Sequence, residues 1–311
     1  MILDRWRPQQ FAEALRTGEP VDLRTTACGD WLPAEVAPLC HSVPAEWARW
    51  SAPAARPAGR TSPRVTVVIP AMRGAPIGIR SLCAQDEPVA IRVLWNGPKA
   101  APILPEASVS RVLWRGHGST RQDSIADIDT EYVLFTVDDA LPLGAGFVRT
   151  LVEHLEQSSA DAVWARQIPW PDAGLRTRDR LRAWCPISGE VPATRLDHVC
   201  ALHRADALRA DPLDAAPIAE DWLWGQRHRC ALVVDAPVLH SHPPGLRASF
   251  QRTQQLHRVM MQWGAAPTVP TAATLLRALP GVIGDRDALG ELLGQYAARG
   301  ASGVTTGSAR S

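Results

Sequence analysis

The sequence predicts an α/β fold in which helices flank a mainly parallel sheet, and three features support this prediction. Short apolar segments rich in β-branched residues alternate with segments of helical periodicity; Val65–Ile69, for example, precedes Ile77–Gln85. The segment Tyr132–Val137 is apolar apart from one threonine, which suits a strand that is buried on both faces of a parallel sheet. Asp138 and Asp139 follow it directly, and open α/β sheets bind ligands at the carboxyl ends of their strands. We therefore expect strand–helix–strand units with right-handed crossovers.

The individual elements are predicted from apolar periodicity and from the residues that end each segment. Strands are expected at Val65–Ile69, Ala90–Trp95, Val109–Trp114, Tyr132–Val137, Ala162–Ala165, Val199–Leu202, Leu232–Asp235 and Val238–Ser241. Helices are expected from Thr120 and at Ile77–Gln85, Ala145–Gln157, Ala219–Arg229, Leu246–Gly264, Thr271–Leu279 and Asp285–Ala298. The region Arg166–Gly189 has no clear period and carries five arginines. It is either a mobile basic loop that closes over an anionic ligand or a solvated loop.

Composition divides the chain into four parts. Residues 1–60 are expected to form an N-terminal appendage that ends in a linker rich in proline and alanine. Residues 61–244 form the main α/β domain, and residues 245–300 form helices that pack on it. Residues 301–311 are small and polar, which predicts a disordered tail.

Composition also excludes several classes of function. The net charge of +1 argues against a general binder of nucleic acids or anionic membranes. The six cysteines are scattered without a CxxC pair, so we interpret them as reduced thiols rather than as a disulfide framework or a zinc site. The first residues are too polar for a signal peptide, and no apolar run approaches the ~20 residues of a transmembrane helix. These features predict a cytoplasmic protein, which could also lie peripherally at the inner membrane face.

Two adjacent carboxylates and two histidines indicate a metal site. Asp138 and Asp139 repel each other unless a cation lies beside them, and a divalent metal that carries a phosphate ligand is such a cation. His240 and His242 alternate along a predicted strand and therefore share one face of it, and neutral imidazole is a good ligand for divalent metals. The structural alternatives are a solvated acidic turn and a capped or core histidine pair.

A second acidic pair, Glu220-Asp221, begins the predicted helix Ala219–Arg229. Acids in the first turn and cations in the last turn compensate the helix dipole. This gives both residues a purely structural explanation, and their positions alone assign them no other role.

Six segments follow one another in an order that resembles a known family. They are VTVVIP (65–70), NG (96–97), GSTRQ (118–122), EYVLFTVDDALP (131–142), AEDWLWGQR (219–227) and VLHSHP (238–243). Together they lie within residues 64–255 and resemble the GT-A (Rossmann-like) glycosyltransferases of the large inverting family 2, closest to its bacterial rhamnosyltransferase-like branch. The resemblance implies that residues 61–244 are a GT-A catalytic domain. Each motif alone is loose, but six in the family's order argue against a chance match.

The resemblance implies an enzyme that moves a hexosyl or deoxyhexosyl group from a nucleotide-diphosphate sugar, UDP- or dTDP-linked, to an acceptor hydroxyl. The acceptor would be a polysaccharide, a glycolipid or a natural product. It also implies a divalent metal, Mn2+ or Mg2+, held by Asp139 and by His242 or His240. Asp221 matches the general base that takes the proton of the acceptor hydroxyl, and Glu220 is the alternate. The implied donor-binding residues are Pro70, Asn96, Arg121 and Asp138, and the implied acceptor wall is Trp222, Trp224 and Arg227.

Two positions depart from the family pattern. Val137 occupies the first DxD position, where related enzymes often carry a neutral residue, and Trp95 or Asn96 stands where an aspartate usually contacts the nucleotide base. The choice between a UDP- and a dTDP-linked donor therefore stays open, and Trp224 is equally well explained as a core residue. Two other functions also stay open: a nucleotidyltransferase on a related fold, for which Ala71–Gly74 is a poor glycine-rich loop, and a catalytically inactive relative that binds sugar nucleotides.

Overall fold

The computed structural model describes residues 62–72, 74–83, 85–169, 175–187, 191–241, 246–263, 271–282 and 285–302. In this part of the chain the strands are β1 (Val65–Ala71), β2 (Val89–Trp95), β3 (Ser108–Arg111), β4 (Tyr132–Thr136), β5 (Leu141–Pro142), β6 (Ala162–Ile168), β7 (Cys200–Arg204) and β8 (Cys230–Leu239). The helices are α1 (Ile79–Cys83), α2 (His117–Asp123), α3 (Phe147–Gln157), α4 (Leu175–Trp184), α5 (Ala205–Ala210), α6 (Glu220–Gly225), α7 (Leu246–Gln262), α8 (Ala272–Val282) and α9 (Arg286–Ser302). The predicted N-terminal appendage and the predicted tail beyond residue 302 lie outside the described residues.

The eight described strands form one sheet in the order β3-β2-β1-β4-β7-β6-β8-β5. β1 pairs in parallel with β2 and β4, β2 pairs in parallel with β3, and β6 pairs in parallel with β8. β7 is antiparallel to both of its neighbours, β4 and β6, and β5 is antiparallel to β8. This arrangement of strands and helices confirms the predicted α/β class.

The apolar periodicity of the central strands builds a core on each face of the sheet. All five residues of β4 are buried, and they alternate between the faces: Tyr132 and Leu134 join one apolar cluster, whereas Val133 and Phe135 join the other. β6 is buried along all seven of its residues. A strand covered on both faces requires apolar side chains at nearly every position, which explains the composition of β4.

The structure extends or joins several predicted strands. β1 continues through Pro70 to Ala71, because β4 has already ended its pairing with β1 before this proline and no partner on that side needs its missing N–H. The predicted strands Leu232–Asp235 and Val238–Ser241 are one strand, β8. A bulge at residues 234–236 lets the pairing with β6 resume at Pro237.

The helical predictions also change at two places. The helix predicted from Thr120 is α2, which ends at Asp123, so Ile125 and Ile128 are buried in the turn that follows it rather than on its apolar side. The region Arg166–Gly189, predicted to be irregular, begins inside β6 and contains α4. Its described part is therefore not a single loop.

The chain forms two compact units, and the second contains α7, α8 and α9 in the regions predicted to be helical. In that unit α7 and α9 approach closely. A Cβ on Gly290 would lie 2.4 Å from the carbonyl oxygen of Leu246, and one on Gly294 would lie 2.6 Å from that of Phe250.

No helix in the described part of the chain combines the length and apolar character that a membrane-spanning segment requires.

Gly97 lies where the segments that follow β1 and β2 meet, and a side chain at this position would not fit. A Cβ would lie 2.3 Å from the carbonyl oxygen of Met72 and 2.4 Å from the ring of Trp95. We expect Gly97→Ala to lower the free energy of unfolding by about 1–3 kcal/mol, because a backbone carbonyl and a buried ring must move. Urea unfolding measures the change. Gly74→Ala is the control, since no atom lies within 4 Å of its Cβ; equal stability of the two variants would contradict the expected clash.

Candidate active site

The strand directions bring several polar segments to one edge of the sheet. β1, β2 and β4 are parallel, and because β7 is antiparallel to both β4 and β6, β6 and β8 point the same way as β4. The carboxyl ends of these five strands therefore meet at one edge, together with the amino end of β7. Open α/β sheets bind ligands at this edge, which makes it the candidate active site.

Asp138 and Asp139 lie at this edge directly after β4, as the sequence predicts. The Oδ2 atom of Asp138 accepts a hydrogen bond from the backbone N–H of Met72 at 3.3 Å, and its carbonyl oxygen accepts one from the N–H of Ile77 at 3.0 Å. Asp138 is thus fixed to the segment that follows β1. The Asp139 side chain is about half exposed, with 48% of its surface accessible.

His240 follows β8 and faces Asp139. Its Nε2 atom lies 3.5 Å from Oδ1 of Asp139, and its Nδ1 atom lies 3.0 Å from Oε1 of Gln167. The backbone N–H of His240 donates to the carbonyl oxygen of Ile168 at 2.9 Å, which holds the residue at the end of β6. The ring is 3% exposed, so its position is set by packing as well as by hydrogen bonds.

An imidazole nitrogen and a carboxylate oxygen 3.5 Å apart fit a divalent metal, because both are ligands that such metals accept and one ion can contact both. Within the described ranges no group of three His, Cys, Asp or Glu side chains converges at one point. The remaining coordination would have to come from a bound ligand or water. His242, the other predicted ligand, lies outside the described residues.

Asp221 occupies the first turn of α6 and is held by two backbone amides. Its Oδ2 atom accepts from the N–H of His198 at 3.0 Å, and its Oδ1 atom accepts from the N–H of Trp222 at 2.7 Å. Asp221 is partly exposed, whereas Glu220 is only 3% exposed, so Asp221 is the more accessible of the two predicted bases. Ala219, just before them, has φ of +68°, a strained conformation for a residue with a Cβ.

The segment Asp197–Val199 connects the two groups of acids. The hydroxyl of Thr136, the last residue of β4, donates to the carbonyl oxygen of Val199 at 2.9 Å, which places this segment beside the end of β4. His198 binds Asp221 through its N–H, and Asp197 accepts a hydrogen bond from Gln167, the partner of His240. His240, through Gln167, and Asp221 are therefore linked to the consecutive residues Asp197 and His198.

Two buried histidines pack together here, His198 within this segment and His203 on β7, and sequence reasoning missed both. The Nε2 atoms of His198 and His203 lie 3.0 Å apart, and both rings pack against Phe135 at centroid distances of 5.0 and 5.4 Å. His203 also contacts the ring of Trp224 at 4.8 Å. The one signal in the sequence is His203, which directly follows the apolar residues Cys200–Leu202 within the strand.

The predicted acceptor wall divides into a core residue and two accessible ones. Trp224 is fully buried, donates from Nε1 to the carbonyl oxygen of Asp211 at 2.8 Å and stacks on His228 at 3.6 Å. This burial is what the core alternative predicts for Trp224, and an acceptor contact by its ring stays a prediction. Trp222 is partly exposed, and Arg227 is exposed.

Arg227 forms an ion pair with each of two aspartates, through Nε to Asp211 at 2.8 Å and through Nη1 to Asp214 at 2.9 Å. The hydrogen bond from Arg227, with one from His228, lowers the pKa of the Asp211 carboxyl. Any acceptor that recruits Arg227 must compete with these carboxylates.

The predicted donor-binding residues have different surroundings. Pro70 is partly exposed near the end of β1, and the N–H of Asn96 donates to the carbonyl oxygen of Ala71 at 2.9 Å. The Oδ1 atom of Asn96 is buried and has no hydrogen-bond partner within the described residues. Arg121 is only 2% exposed, with its guanidinium 5.8 Å from the ring centroid of Phe135. A donor contact by Arg121 stays a prediction.

Comparison with known proteins found solved structures that are similar to this chain. No family model and no curated protein matches the chain. Among solved structures, a mannosyltransferase from Pyrobaculum calidifontis in complex with GDP-Man and Mn2+ aligns with a TM-score of 0.52 and 17% identity, over 81% of this chain and 78% of that one. S. aureus TarS 1–349 aligns with a TM-score of 0.47 and 12% identity, over 79% of this chain and 75% of that one.

A third structure, glucosyl-3-phosphoglycerate synthase from Mycobacterium tuberculosis with Mn2+, UDP-Glc and phosphoglyceric acid, has a TM-score of 0.44 and 20% identity, over 68% of this chain and 82% of that one. Of these three structures, the mannosyltransferase alone has a TM-score above 0.5. At 17% identity, this similarity shows a shared fold and nothing more. The chain has a GT-A-like fold, which confirms the predicted fold class.

The buried His203 makes the stability of the protein depend on pH. Burial lowers the pKa of His203 well below its usual value, and the charges of His198, His228 and Arg121 lower it further. The unfolded chain binds a proton at this residue below about pH 6.5 and the native state does not, so the stabilisation is complete above that pH and is lost on acidification. The free energy of unfolding then falls by about 1.4 kcal/mol per pH unit for this group.

We expect His203→Gln to remove this contribution to the pH slope between about pH 6.5 and pH 5, whatever its effect on absolute stability. Urea unfolding across that range measures the slope. His154→Gln, at an exposed position of α3, is the matched control and should leave it unchanged. A wild-type slope in His203→Gln would mean that His203 is already protonated in the native state.

Proposed function

We propose that the chain is a metal-dependent inverting glycosyltransferase that moves a sugar from a nucleotide-diphosphate sugar to an acceptor hydroxyl. The observation that carries the proposal is the pair formed by Asp139 and His240 at the carboxyl edge of the sheet, with the two atoms 3.5 Å apart. Asp221, attached to the neighbouring segment, supplies a carboxylate for proton transfer. A GT-A-like fold, six motifs in family order and a metal-compatible pair agree on this chemistry.

The donor is proposed from the motifs and from the structural likeness. The mannosyltransferase that shares the fold is in complex with GDP-Man and Mn2+, so GDP joins the UDP and dTDP that the motifs imply as candidate nucleotides. Membership of family 2, its rhamnosyltransferase-like branch and transfer of a hexosyl or deoxyhexosyl group rest on the motifs. Pro70, Asn96, Arg121 and Asp138 remain the proposed donor contacts.

Asp139 and His240 would hold Mn2+ or Mg2+, which when bound neutralises the charge that develops on the departing diphosphate. Asp138 is the neighbouring carboxylate, and its hydrogen bond from the Met72 amide fixes it for a contact with the ribose or the sugar. The Asn96 Oδ1 atom lies buried after β2, where it can accept a hydrogen bond from a donor on the nucleotide.

Asp221 is the proposed general base. It takes the proton from the acceptor hydroxyl while that oxygen forms a bond to the anomeric carbon. The bond from this carbon to the diphosphate oxygen breaks, and its electron pair leaves with the diphosphate. Attack from the face opposite the leaving group inverts the configuration. Each carboxylate oxygen of Asp221 accepts one backbone N–H, which fixes its orientation.

The acceptor side is proposed at Trp222 and Arg227, the two accessible residues of the predicted wall. Aromatic faces stack on sugars, and a guanidinium binds hydroxyl or phosphate oxygens. These properties suit a polysaccharide, a glycolipid or a glycosylated natural product.

Asp221→Asn tests the base. The variant keeps the size of the side chain but cannot take a proton, and its NH2 group replaces one of the two oxygens that accept backbone N–H groups. We expect kcat to fall by about 10²–10⁴-fold while nucleotide affinity stays within about threefold. Transfer assays with nucleotide-sugar donors and isothermal titration measure the two quantities. Glu220→Gln is the matched control and should retain activity if it folds. Loss of activity in Glu220→Gln with retention in Asp221→Asn would reverse the assignment.

Titration with UDP, dTDP and GDP, each with and without Mn2+, tests the metal. We expect one nucleotide to bind more tightly with Mn2+, and we expect His240→Ala to reduce this enhancement by at least about tenfold because it removes a metal ligand. His154→Ala, an exposed histidine of α3, should leave it intact. Binding of a nucleotide that is equal with and without Mn2+ would contradict the metal dependence.

A further inference from the structure

We propose that Asp197 and Gln167 are positioning residues that fix the tautomer of His240, so that its Nε2 lone pair faces Asp139. This inference rests on the proposed function, because the lone pair matters for holding a metal there. Neither residue belongs to one of the six motifs, and neither is among the predicted substrate-binding residues. Their role follows from the direction of four hydrogen bonds.

The side chains form a continuous hydrogen-bonded chain at the carboxyl edge of the sheet. Gln167 lies at the end of β6, is 5% exposed and bridges the other two residues. Its Nε2 atom lies 2.5 Å from Oδ2 of Asp197, and its Oε1 atom lies 3.0 Å from Nδ1 of His240. The same Asp197 oxygen accepts from Nε1 of Trp184 at 2.9 Å, and the other accepts from the N–H of Val199 at 3.0 Å.

The direction of this chain is determined by its two ends. An ionised carboxylate only accepts and an indole N–H only donates, so Asp197 can present only acceptors to Gln167. The amide of Gln167 must therefore direct its NH2 group to Asp197 and its oxygen to His240. An oxygen facing Nδ1 requires a proton on Nδ1, and in the neutral ring Nε2 then carries the lone pair.

The fixed tautomer opposes what Asp139 alone would favour. A carboxylate 3.5 Å from Nε2 would prefer a proton on that nitrogen, which would then donate to it. The acceptor Gln167 Oε1 on the other side of the ring holds a proton on Nδ1, so in the neutral ring Nε2 is the nitrogen left with a lone pair. In metal sites, a ligand histidine commonly donates from its other ring nitrogen to a polar group in this way.

The same carboxylate also orients the segment that holds the proposed base. The contact from Asp197 Oδ1 to the Val199 N–H closes an Asx-type turn around His198, whose own N–H donates to Asp221. A backbone N–H can only donate, so a residue that replaces Asp197 keeps the turn only if it places an oxygen opposite the N–H of Val199. This constraint makes one substitution especially informative.

Asp197→Asn, made together with Trp184→Phe, is expected to reverse the chain. With the indole N–H removed, the Val199 N–H is the remaining donor of fixed direction, so the new amide keeps its oxygen there and turns its NH2 group towards Gln167. Gln167 then flips, its NH2 group faces Nδ1 of His240, and the ring proton moves to Nε2. NMR spectra of protein labelled with 15N in histidine report which nitrogen is protonated, and Mn2+-induced relaxation of water protons reports affinity for the metal alone. We expect the Nε2–H tautomer of His240 and an affinity for Mn2+ that is about 10–100-fold lower.

Adding Gln167→Glu to this variant should restore the wild-type arrangement. The NH2 group of the amide introduced at position 197 can then donate to one oxygen of the carboxylate introduced at position 167, whose other oxygen accepts from Nδ1 of His240. We expect the Nδ1–H tautomer to return and Mn2+ affinity to recover to within about threefold of wild type. Trp184→Phe, which removes one donor to Asp197 without reversing the chain, is the control and should keep the tautomer.

The outcomes separate this inference from the proposed function. An Nε2–H tautomer in the wild type, or an unchanged tautomer in Asp197→Asn with Trp184→Phe, overturns the inference. A wild-type protein that has the Nδ1–H tautomer but binds no Mn2+ supports the positioning role while rejecting the metal in the proposed function. Failure of the triple variant to restore the tautomer, with Asp197→Asn/Trp184→Phe shifted as expected, also overturns the inference, because the shift then has another cause.

Discussion

The antiparallel insertion of β7 between β4 and β6 is the constraint on which the candidate site depends. A strand that runs against its neighbours begins where they end, so the residues before β7 reach the edge at which β4 and β6 deliver their last side chains. The pairing of Thr136 with Cys200 fixes this register. A shift by one residue would turn every side chain of β7 to the other face of the sheet and would remove His203 from its partners.

Much of the fold could be predicted from the sequence because its signals are local. The strands β1, β2 and β4 are runs of β-branched and apolar residues, and the parallel arrangement places Asp138 and Asp139 at the ligand-binding edge. The structure brings His240, which the motifs also indicate, to Asp139. A strand end is visible in a short stretch of sequence, so the residues that follow it can be named in advance.

The rest of the site could not be predicted because it depends on contacts between distant residues. His240 and Gln167 are 73 positions apart, and Gln167 and Asp197 are 30 apart. A glutamine inside a strand and an aspartate before another have no spacing that distinguishes them from ordinary polar residues. Burial is likewise a property of the whole fold: Trp222 and Trp224 are close neighbours on α6, yet one is partly exposed and the other is stacked inside the core on His228.

The acidic side chains of the candidate site are held mainly by backbone N–H groups. Both oxygens of Asp221 and one oxygen each of Asp138 and Asp197 accept backbone N–H groups, whose positions follow from the sheet and the turns rather than from flexible side chains. Such groups lose little conformational entropy when a ligand binds, because they are already ordered. The φ of +68° at Ala219, directly before the acidic pair, is a strained backbone conformation, and strain of about 1–3 kcal/mol persists only where surrounding contacts outweigh it.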